Sequence, residues 1–121
     1  MLIKSDIFKE FGFLEESYFL YYEELDIAMR IRSKYQIAYA SKSIIFHKEG
    51  GSLGSSSRKT VNKSEVAEYY GFRSRLLFMK RFFPNRSFYV YLGALLTIIK
   101  RLIKFQFNRA KMILNIIVQS N

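Results

Sequence analysis

The chain has 121 residues, half of them apolar and a sixth aromatic, which is enough for one small domain and excludes a disordered tail. It has no cysteine, so disulfides, thiolate chemistry and Cys-based zinc sites are excluded. The formal charge of +10 is unevenly placed. Residues 1–70 hold ten basic and ten acidic side chains, residues 71–121 hold ten basic and none acidic, and Glu68 is the last acid. A charge-balanced segment is followed by a basic-apolar one suited to an anionic partner.

The start carries charges among its apolar residues and has no secretory signal pattern. Ser5 or Asp6 is placed to cap a short helix ending at Gly12, and Tyr18–Tyr22 is an aromatic run expected to be buried as a strand or an extended approach. A helix is predicted over 23–34, with Glu23, Glu24 and Asp26 in its first turn, where the helix dipole favours negative charge. Ile27, Ala28, Ile31 and Tyr35 form its packing stripe. Asp26 and Arg30 stand four apart, a spacing that by itself gives an intrahelical ion pair of roughly 0.2–0.5 kcal/mol.

Residues 36–40 and 43–47 read as two short strands, the second ending in His47, the sole histidine. A glycine- and serine-rich stretch over 50–57 follows, with Arg58 and Lys59 at its far end; such a stretch is a linker or a lid. A helix is predicted from about residue 62 towards Pro84, which must stop or kink it. Residues 88–99 carry no charge and Lys100, Arg101 and Lys104 close the run, which is too short to span a bilayer and fits a helix lying in the interface.

Three carboxylates within four positions beside aromatic residues make a candidate general base; the plainer alternative is a solvated first turn that offsets the helix dipole. His47 alone is a weak metal signal, and the glycine-serine stretch matches neither common phosphate-binding pattern.

In order, residues 12–30 (GFLEESYFLYYEELDIAMR), 36–40, SIIFH at 43–47, Gly50-Gly51-Ser52, YYGFRSRLLF at 69–78 and KRFFP at 80–84 resemble the C-terminal half of a family 2 bacterial glycosyltransferase of the GT-A, rhamnosyltransferase-like kind. The resemblance covers roughly residues 5–85. It implies an α/β (α+β fragment) fold with an acceptor-side portion over 1–85; the residues beyond it read from their own pattern as a basic amphipathic helical tail over 86–121 that holds the chain at the inner face of the cell membrane. It implies an inverting transfer from a nucleotide-sugar donor to a glycan or lipid-linked acceptor. Glu24 is then the base that deprotonates the acceptor hydroxyl, with Glu23 as its alternative. Asp26 and Arg30 orient that turn, His47 lies near a metal and diphosphate, and Gly50, Gly51 and Ser52 with Arg58 and Lys59 close over the substrates.

The family also implies Mg²⁺ or Mn²⁺ held by an Asp-x-Asp, and no Asp-x-Asp occurs here. The resemblance therefore implies a fragment, split product or truncated homologue, inactive alone and completed by a separate nucleotide-binding half. Leu14 departs from the Asp or Asn of many relatives, which puts acceptor contacts there in question. The competing class is a small basic binding protein for a membrane surface or nucleic acid, without catalysis. Cations beside the most apolar stretch suit lipid better than bases.

Overall fold

The computed structural model describes residues 1–46 and 64–119. Among the described residues five α-helices follow in order, α1 (Ser5–Phe11), α2 (Glu23–Ile31), α3 (Glu65–Phe82), α4 (Phe88–Ile103) and α5 (Phe107–Gln119), with one 3₁₀ turn at Pro84–Arg86. No strand forms among the described residues. This overturns the expected α/β fold and its GT-A sheet portion. Residues 36–46 are exposed throughout, Tyr39 and Phe46 almost completely. Among the described residues, the backbone bond within this stretch is a local turn, Ser43 N–H to the Ala40 carbonyl. A strand exists through its ladder, and among the described residues no segment supplies one, so strand-like composition alone yields irregular chain.

The termini of the helices follow local chemistry. Gly12 closes α1 at φ +79°, a left-handed conformation that costs glycine nothing, and its N–H returns to the Phe8 carbonyl. Ser64 caps α3 by accepting from the Ala67 N–H at 3.2 Å, Glu65 and Glu68 lie in its first turn, and Lys80 and Arg81 in its last. Pro84 begins the 3₁₀ turn just beyond it.

Two apolar clusters result. Ile7 of α1 packs with Ile27 and Ile31 of α2, flanked by Phe11 and Tyr35. Leu76 of α3, Val90 of α4 and Ile116 of α5 form the second. The C-terminal helices therefore pack on α3, and α5, which the sequence did not separate from a general helical tail, fills its own share of that core with Ala110, Ile113 and Ile116.

α3 joins the clusters by serving both sides. Its other flank receives the aromatic run: Tyr22 lies 5.3 Å from Phe78 and Phe19 lies 4.5 Å from Tyr70, ring centre to ring centre. Ser74, fully buried, donates to the Leu20 carbonyl at 2.7 Å. Tyr18 is buried, but the run is no strand: Tyr21 and Tyr22 are both left-handed, at φ 65° and 74°. That conformation is strained for bulky side chains and turns the chain sharply into α2.

α4 and α5 are joined by a tight turn. The Gln106 N–H reaches the Arg101 carbonyl and the Phe105 N–H the Leu102 carbonyl, the paired bonds of a Schellman closure. Phe105 occupies the left-handed position at φ 55° where glycine is usual, and its side chain is 81% exposed.

Candidate functional site

The expected carboxylates separate into different roles. Asp26 is completely buried. Arg30 Nε donates to its Oδ1 at 2.7 Å, and Arg81 Nη1 lies 3.1 Å from Oδ2 without hydrogen-bond alignment. Arg30 also donates to the Phe11 and, at 2.7 Å, the Phe13 carbonyls, while Arg81 donates to Glu15 at 2.7 Å. The pair read as a local i,i+4 bridge is thus the centre of a buried network that fastens α1, α2 and α3 together. The Tyr18 phenol borders Asp26; its own burial, seconded by that carboxylate, pushes it up to about 12. The Arg81 hydrogen bond, with help from Ser17, holds the Glu15 carboxyl below its ordinary 4.5.

Glu24 is exposed, whereas Glu23 is half-buried and its Oε2 is enclosed with no hydrogen-bond partner among the described residues. An enclosed carboxylate oxygen without a donor forfeits about 1–3 kcal/mol. His47, Gly50, Gly51, Ser52, Arg58 and Lys59 lie outside the described residues.

The divalent metal does not fit the residues described. No cluster of three metal-ligating side chains occurs among them, and both oxygens of Asp26 already face guanidinium groups. A cation there would be repelled by Arg30 and Arg81.

A second feature was not foreseen in the sequence. Between α3 and the α4–α5 turn lies an open cleft of about 820 Å³. Five basic side chains line it, Arg75, Lys100, Arg101, Lys104 and Arg109, against the single acid Glu68. Tyr22, the residue immediately before Glu23, forms part of its wall and accepts from Arg75 Nε at 3.1 Å. The signal available in the sequence was the basic cluster after residue 99; the partner helix that makes it a cleft was not.

Beside the cleft, α4 turns an apolar face outward. Phe88, Leu92, Leu95, Leu96, Ile99 and Ile103 are each more than 40% exposed. Successive α-helical positions turn by about 100°, which sets these residues in one continuous stripe with Lys100 and Lys104 along its border. At 16 residues α4 is about 24 Å long, and no described helix is long and apolar enough to cross a membrane.

No protein-family model, curated protein or solved structure matches the chain.

Proposed function

We propose that the chain is the acceptor-side part of an inverting sugar transferase, held at an anionic membrane surface by α4. One observation carries this reading: the residue that leads into Glu23 and Glu24 also walls the cleft bordered by α4, with Tyr22 on one side and Lys100 and Lys104 on the other. An acceptor anchored in lipid beside α4 would thus meet the wall that Tyr22 shares, next in the chain to the carboxylates, which do not themselves line the cleft. Glu24, open to solvent, takes the proton of the acceptor hydroxyl, and the half-buried Glu23 is the alternative for that role. The nucleotide-sugar is supplied by further polypeptide, since no Asp-x-Asp is present.

The membrane part draws on two attractions, burial of the α4 stripe at about 25 cal/mol per Å² and roughly 1 kcal/mol for each cation near the surface. The absence of any acid after Glu68 favours it.

Two measurements test the reading. Flotation with anionic vesicles should persist at moderate salt while DNA binding stays weak; a steep salt dependence on DNA with no vesicle binding would instead identify a nucleic-acid binder. With a nucleotide-binding half supplied in trans, labelled sugar should reach a membrane acceptor, and Glu24→Gln should abolish transfer with the helical circular dichroism unchanged. Full transfer by Glu24→Gln and loss in Glu23→Gln would move the base to Glu23, and full transfer by both would end the catalytic assignment.

A further inference from the structure

We propose that the cleft between α3 and the α4–α5 turn binds a phosphoryl group, with Lys100 and Lys104 as its principal ligands and Arg75 contributed from α3 across from them. This deepens the acceptor-side reading and rests on it for its biological meaning, but the site stands on its own geometry.

The five cations of the wall are not equivalent. Arg101 Nη2 and Arg109 Nη1 both contact the Glu68 carboxylate, at 2.6 and 3.0 Å, and Glu68 is nearly buried. This trio is a structural clamp that ties α3 to α4 and α5, and Arg109 Nε also lies 3.8 Å from the Glu65 carboxylate, so two acids answer the two arginines. Lys100 and Lys104 stand one helical turn apart, are exposed, and form no ion pair with any acid among the described residues. Arg75 spends Nε on the Tyr22 hydroxyl, which holds the guanidinium at the wall. With the arginine pair so matched, Lys100, Lys104 and Arg75 leave the cleft a formal charge of +3, and Arg75 is already braced by a protein contact.

That pattern suits a multiply charged oxyanion better than a carboxylate. A phosphoryl group accepts several charge-assisted hydrogen bonds at once, and ammonium groups on flexible stems converge on it readily. The Thr97 and Gln106 side chains, also in the wall, add polar neighbours of lower charge. Position narrows the source: Ile99 and Ile103 of the exposed α4 stripe immediately precede Lys100 and Lys104, so a helix seated in lipid sets the cleft at headgroup level. A phosphorylated lipid headgroup and a soluble diphosphate share the chemistry.

The test uses the full chain. Inorganic pyrophosphate is titrated calorimetrically, and vesicles of phosphatidylcholine with phosphatidic acid are assayed by flotation, for the native chain, Lys100→Gln/Lys104→Gln and the charge-matched control Lys4→Gln/Lys42→Gln. The cleft variant should bind each effective probe about tenfold or more weakly, and the control should stay near native. Vesicle binding alone identifies a lipid headgroup, and pyrophosphate binding that competes with vesicles identifies a group accepted from either source. Equal weakening in both double variants would show diffuse charge and overturn the proposal, as would failure of both probes. Arg75→Gln, on the opposite wall, should weaken binding as well, and circular dichroism verifies folding of each variant. Neither probe involves sugar transfer, so a failed transfer assay with intact cleft binding would sink the catalytic reading alone.

Discussion

The buried centre around Asp26 and the cleft at Lys100 and Lys104 put charge to opposite uses. Around Asp26 the charges face each other: two guanidinium groups converge on one carboxylate, the spare donors of Arg30 reach backbone carbonyls, and Arg81 is shared with Glu15. In the cleft, Glu68 answers two arginines and the lysines are left facing outward. Charges that satisfy one another inside hold a fold together, and charges left over at a surface select a partner. The two regions thus separate structural from interacting residues more sharply than the composition of either half does.

The comparison breaks most directly at Asp26. Asp26→Asn removes the anion between two arginines and should lower stability by about 3–5 kcal/mol, read as a shift in the urea midpoint, whereas Lys100→Gln/Lys104→Gln should leave that midpoint nearly unchanged. Equal losses would erase the distinction. Next comes Leu96→Asp on the exposed α4 stripe, which should cost about 2 kcal/mol or more of vesicle affinity, over tenfold, with the fold intact. Phe105→Gly should divide the two properties within one residue. Relief of the left-handed strain should raise stability by up to about 1 kcal/mol, while loss of an exposed aromatic should weaken flotation.

The smallest effects are in pH dependence. Glu15 titrates lower in the fold than in the unfolded chain, so its contribution is present above about pH 4.5 and fades as pH falls through its lowered value; Glu15→Gln should flatten that acid limb. Tyr18 has the opposite sign. Its raised phenol makes stability fall as pH climbs from 10 towards about 12, and Tyr18→Phe should remove that alkaline loss.

Features governed by neighbouring residues were legible in the sequence. Gly12 ends α1, the acids mark the start of α2, and α3 closes just before Pro84, each through local backbone chemistry. Features needing a distant partner were not. Residues 36–40 and 43–46 have strand composition, but composition cannot supply a ladder, and they are irregular. Asp26 next to Arg30 reads as a surface bridge because nothing local announces Arg81, which arrives on α3. Likewise the cations after residue 99 were visible as a cluster, but the cleft depends on Arg75 and Tyr22 coming from other elements. Of the candidate site, the sequence singled out Glu23 and Glu24 and left open which environment each would meet: one enclosed, the other in water.

Ser74 has a consequence out of proportion to its size. Its hydroxyl, sealed in the interior, is the short tether between the middle of α3 and the chain just ahead of the acidic turn. Ser74→Ala would take the Leu20 carbonyl's donor away, so a deletion of one oxygen in α3 would be felt at the aromatic run that delivers the chain into the acidic turn.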